Sequence, residues 1–194
     1  MKISSTFMTL ATIAMLWGCG SKSTETTDTT EFADSTNQAA ADSATTDSVA
    51  DAIEEDAKFA VAAANGGMAE VALSKIAEEK ATDPKVKEFA KQMVADHSKA
   101  NDELKKLADQ KNITLPSAPN EEKQKAAAEL GGKSGSDFDK TYITQMKKDH
   151  QATVKLFEDA QKDVKDPELK AFIDKTLPVI KAHEEHVKSL DKTK

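Results

Sequence analysis

The chain has 194 residues, with 27 basic against 34 acidic side chains, a formal net charge of −7 and only 5% aromatic residues. The acidic balance and the lack of any arginine argue against nucleic acid as a partner and remove the bidentate fork suited to phosphate. A single cysteine, Cys19, excludes an internal disulfide, so the domain must be held together by its core alone.

Residues 1–18 have the form of a lipoprotein signal peptide. Lys2 supplies a minimal positive start, and Phe7 to Trp17 form an apolar run too short for a stable transmembrane anchor. The run ends at Leu16-Trp17-Gly18-Cys19, which resembles a bacterial lipobox with Leu at −3, an unusual Trp at −2, a small Gly at −1 and the acceptor Cys at +1. By that resemblance Cys19 is the lipidated residue and the membrane is a partner. Gly20 after it carries no acidic retention cue, so the expected address is the outer membrane, facing the periplasm or the cell surface.

Residues 19–52 are mostly Ser, Thr, Asp and Ala, with too little large apolar surface to offset the entropy of folding, and read as a disordered tether. From Ile53 to Lys192 the composition turns to Ala, Leu, Val, Lys and Glu at helical spacing. Four long helices are expected, over about 53–81, 84–110, 137–164 and 167–192, with a short helical piece near 120–130. Asp83-Pro84 and Asp166-Pro167 each place an N-cap before a proline at the first helical position, and such short turns imply antiparallel hairpins. The hairpins repeat at an offset of 83 residues: Phe59 falls on Tyr142, Leu73 on Leu156, Ala77 on Ala160 and Phe89 on Phe172. The expected fold is all-α, a four-helix bundle of two duplicated hairpins joined by a connector long enough to cross the bundle.

Each long helix directs one ligand-type side chain inward. In the second, Val86, Ala90, Met93, His97, Ala100, Leu104 and Leu107 recur at alternating steps of four and three, with the histidine in mid-stripe. His150 and His183 occupy the same kind of stripe in the third and fourth helices, and Glu70 in the first. Glu70 lies 13 residues before Asp83 and His97 14 after it, while His150 lies 16 before Asp166 and His183 17 after it. At about 1.5 Å per residue all four sit roughly 20–25 Å from their own turn, in one layer whichever way the hairpins pack.

A buried imidazole must find a hydrogen-bond partner, a counter-charge or a metal. Glu70, His97, His150 and His183 are therefore candidate metal ligands, for which zinc, copper and iron all match. The competing reading is a metal-free polar layer in a structural or protein-interaction module. Asn101, Asp96 and Asp149 are candidate outer-shell residues. His186, beside Glu184 and Glu185, reads as a surface residue. Gly66-Gly67 suggests a close helix crossing or room opposite His150, and Pro178 a kink before His183. No nucleophile or acid–base pair is evident, so no catalytic residue is assigned and an enzyme ranks behind both readings.

Glu70-Val71-Ala72-Leu73, Phe89-Ala90, Asp96-His97-Ser98, Phe138-Asp139-Lys140-Thr141-Tyr142, Asp149-His150 and Leu177-Pro178 followed by His183 together resemble the bacterial ferritin-like domain-of-unknown-function family 4142, often described as outer-membrane proteins. The resemblance covers about residues 55–192. It implies a ferritin-like four-helix bundle in the cell envelope and no established activity. The Glu-x-x-His motifs of di-iron carboxylate proteins are absent: Val94, Lys147 and Ile180 stand three residues before His97, His150 and His183.

Overall fold

The computed structural model describes residues 28–192. The signal peptide, the lipobox and Cys19 lie outside the described residues. Six helices follow in order: α1 Thr29–Asp42, α2 Asp47–Lys80, α3 Pro84–Lys111, α4 Glu121–Gly131, α5 Gly135–Asp163 and α6 Pro167–Asp191. Helices α2, α3, α5 and α6 form the four-helix core. Both Asp-Pro junctions cap as expected: Asp83 Oδ1 accepts from Lys85 N at 2.8 Å, and Asp166 Oδ1 accepts from Glu168 N at 2.9 Å and Leu169 N at 3.0 Å.

The duplication is visible as a repeated contact. Asp139, at the start of α5, accepts from Thr82 N and Asp83 N, each at 3.0 Å, in the α2–α3 turn. Asp56, 83 residues earlier near the start of α2, accepts from Lys165 N at 2.7 Å and Asp166 N at 3.1 Å in the α5–α6 turn. Each hairpin thus holds the tip of the other, which sets α2 and α5 antiparallel. The ion pair of Lys111, ending α3, with Asp166 at 2.6 Å sets α3 and α6 antiparallel as well. The residues between α3 and α5, including α4, return along the α2–α5 side, and Lys80 near the end of α2 reaches the Gly131 carbonyl at the end of α4.

The apolar core divides in two. Phe89, Met93, Phe138, Tyr142, Ile143 and Met146 lead one cluster; Phe59, Phe157, Leu169, Phe172, Ile173 and Ile180 lead the other. On every core helix one cluster precedes the polar residue and the other follows it, so Glu70, His97, His150 and His183 form a layer between them. Each large apolar side chain buried there stabilises the fold by about 1.5–3 kcal/mol, which is how the bundle tolerates polar groups at its centre.

The expected tether is corrected over its described part: Thr29–Asp42 is helical, and α2 begins at Asp47 rather than Ile53. The physical reason is local. Ala33 and Ala41 are fully buried against α2, while buried Asn37 donates to Thr114 O at 2.9 Å and accepts from Thr114 N at 2.8 Å. Small side chains and one amide supply what large apolar residues usually do. Gly67, rather than Gly66, marks the close crossing of α2 and α3, since a Cβ there would stand 2.2 Å from Asn101 Oδ1. Pro178 is exposed and α6 runs on through it.

Candidate metal centre

The three histidines come from α3, α5 and α6 and meet at the bundle axis. Ring centroids lie 5.5 Å apart for His97–His150, 5.3 Å for His97–His183 and 5.7 Å for His150–His183. One ring nitrogen from each lies within 4.8 Å of the other two. None is more than 6% exposed, so a ring nitrogen left without a partner here is costly.

Each ring has one nitrogen engaged by an acceptor. His150 Nδ1 lies 2.9 Å from the Met146 carbonyl oxygen, one turn back on α5. His183 Nε2 lies 2.8 Å from Asp96 Oδ2. His97 Nδ1 lies 3.0 Å from Glu70 Oε2, a close charge contact outside good hydrogen-bond alignment. An acceptor on one side of a neutral imidazole fixes the proton there and leaves the lone pair on the other nitrogen. The nitrogens so defined, His97 Nε2, His150 Nε2 and His183 Nδ1, are those that have no hydrogen-bond partner.

Glu70 is placed differently from the expected ligand. Its oxygens lie 3.0 Å from His97 Nδ1 and 3.5 Å from His150 Nδ1, on the opposite side of each ring from the unpartnered nitrogen. Thr153, the residue matching Glu70 at the 83-residue offset, donates to Glu70 Oε1 at 3.4 Å. Burial pushes the Glu70 carboxyl up, but the imidazoles of His97 and His150 overcome this and hold it down to about 2. For His97, burial pulls the pKa down and the Glu70 carboxylate more than restores it, so it is raised. Burial lowers His150, and for His183 burial, joined by the neighbouring imidazoles, brings the pKa to about 4 despite Asp96. Two of the three rings are thus held neutral, the form that binds metal.

The remaining sequence candidates divide. Asp96 joins the layer through a ring on another helix, His183 of α6. Asp149 faces α4, with Lys123 Nζ 2.5 Å from Oδ1 and Gln145 Nε2 2.8 Å from Oδ2. Asn101 packs on Gly67 instead of orienting a histidine. His186 stacks edge-on against Phe89 at 5.0 Å, outside the layer. Sequence reasoning gave Thr153 no role, although the 83-residue offset pairs it with Glu70. It had no signal for Lys123 or the Met146 carbonyl, because one depends on the path of the connector and the other is backbone.

No curated protein matches the chain in sequence. Among solved structures the bundle is similar to the DUF305 fragment from Deinococcus radiodurans, with TM-score 0.64 and 10% identity over 72% of this chain and 97% of that one. It is similar also to a protein described as CopM in the Cu(I)-bound form, with TM-score 0.61 and 20% identity over 71% of this chain and 96% of that one. At such identities these likenesses establish the fold. The model of a domain of unknown function, DUF4142, matches residues 25–190, and the chain therefore belongs to the DUF4142 family.

Proposed function

We propose that the layer binds one Cu(I) ion through His97 Nε2, His150 Nε2 and His183 Nδ1, in a bundle tethered to the outer membrane by lipid on Cys19. The observation that carries the metal reading is three buried histidines that bring one ring nitrogen each within 4.8 Å of one another, while each also has one nitrogen without a protein hydrogen-bond partner. A cation held between the rings would give such nitrogens the partner that the protein does not. Glu70, on the far side of two rings, is an outer partner that fixes tautomers and raises ligand basicity. Zinc in a protein takes four ligands, so three imidazoles would need a fourth from water. Cu(I) is satisfied by three, and its single charge is balanced by Glu70. The likeness to a bundle described in a Cu(I)-bound form supports this choice. The anchoring part rests on Leu16 to Cys19, and Cys19→Ala should release the protein from the membrane fraction; retention there would count against it.

The metal reading is tested by competition with bathocuproine disulfonate on the chain carrying Cys19→Ser, which removes its only thiol. One Cu(I) per chain is expected. His97→Ala, His150→Ala and His183→Ala should each abolish it, whereas Glu70→Gln should keep the stoichiometry and weaken binding by about 10–100-fold. No retained Cu(I), or retention unchanged in the histidine variants, would leave a structural module.

A further inference from the structure

We infer that Cu(I) enters and leaves the layer through the α3–α6 face, where Asp96 draws the cation in and lets His183 swing to meet it. The inference rests on the proposed function and adds the route. Among the described residues, two carboxylates touch the layer histidines. The Glu70 side chain is 1% exposed and sealed, whereas that of Asp96 is 39% exposed while its Oδ2 holds His183 Nε2 at 2.8 Å. Asp96 is thus the charged group that spans from solvent to the layer. His183 is itself 1% exposed, so its ring closes the way in, and the carboxylate latched to it is the one an arriving cation meets first. A ring freed from that latch presents a nitrogen outward, then carries the ion inward as it returns.

Two of the other faces are less suited to a cation. Over α2 and α5 lies α4, and the Lys123 ammonium sits 2.5 Å from Asp149 Oδ1, immediately before His150 in sequence, so the carboxylate on that path already holds a cation. Between α2 and α3 there is a cleft of about 840 Å³ bordered by Met68, Asn101 and Asp102, but Asn101 packed on Gly67 plugs its floor. Each of the two carboxylates that touch the layer does so away from that cleft's lining.

The test measures loading rate in the full chain carrying Cys19→Ser. Cu(I) is supplied as its acetonitrile complex, and ion not yet taken up is trapped at timed intervals by bathocuproine disulfonate, whose colour reports it. Asp96→Asn should slow loading by about tenfold and remove most of its dependence on ionic strength, because an attracting charge at a mouth acts on the encounter rate. Asp96→Glu should recover most of the rate. Lys123→Gln and Asn101→Ala should load like the parent. The route is wrong if Asp96→Asn loads at the parent rate with the parent salt dependence, even where its final affinity falls, since that is the mark of a purely structural partner. It is equally wrong if Lys123→Gln or Asn101→Ala speeds loading more than Asp96→Asn slows it. A parent chain that takes up no Cu(I) at all overturns the proposed function and this route with it, which separates that failure from a failure of the route alone.

Discussion

At the scale of single residues, Glu70 and the three histidines make the stability of the metal-free protein depend on acid. The Glu70 carboxyl falls from an ordinary 4.5 to about 2 in the fold, so its contribution is complete above 4.5 and is lost as pH falls towards 2. His183 falls from 6.5 to about 4, so the fold prefers its neutral ring, and that contribution is lost as pH falls from 6.5 to 4. His97 is raised above 6.5, so its share is present below that value and is lost as pH rises through its folded pKa. Urea midpoints measured against pH should therefore decline below about 6.5 and again below about 4.5. Glu70→Gln should flatten the second decline, remove the alkaline loss and lower His97. A pH profile unchanged by Glu70→Gln would show that the carboxylate is not the partner of His97. Acid should also expel Cu(I), because a protonated imidazole cannot ligate.

The elements show what can be read from the chain and what cannot. Asp139 holds the α2–α3 tip through three hydrogen bonds at 2% exposure, so Asp139→Ala should cost about 2–3 kcal/mol in denaturant unfolding. Asp56 makes the matching contact in a wetter place, and Asp56→Ala should cost about 1 kcal/mol. Equal costs would contradict the burial difference. Gly67→Ala gains about 1 kcal/mol of helix propensity but drives a Cβ to 2.2 Å from Asn101 Oδ1, so the single change should be nearly neutral. Adding Asn101→Ala should release most of that gain in the melting temperature. The four core helices were legible because Asp-Pro caps and heptad-like stripes depend on local sequence. Helix α1 was not, since its burial depends on Ala33, Ala41 and Asn37, residues that composition alone counts as tether. The histidine layer was legible as a depth along four helices. Which side of each ring Glu70 would face was not, because helical period fixes the face of a residue and not the orientation of its side chain.

For the molecule as a whole, the layer is a polar break between two apolar clusters, and under the proposed function its cost falls when a cation binds there. A hundredfold excess of metal over its dissociation constant stabilises a fold by about 2.7 kcal/mol, which for a domain of this size raises the melting temperature by roughly 5–10 °C. Bathocuproine disulfonate should reverse the gain, and a melting temperature identical with and without Cu(I) would argue for a metal-free bundle. Removing residues 1–46, and α1 with them, should lower the melting temperature, because Thr114 loses its Asn37 partner and the α2 face under Ala33 is bared. Copper stoichiometry should survive that truncation, since α1 contributes nothing to the layer. The most direct measurement is the copper K-edge X-ray absorption spectrum of the Cu(I)-loaded chain carrying Cys19→Ser. Three nitrogen scatterers with the outer-shell pattern of imidazole, and a Cu(I) edge, are predicted from His97, His150 and His183. A spectrum dominated by sulfur, or by oxygen scatterers without the imidazole pattern, would contradict the site.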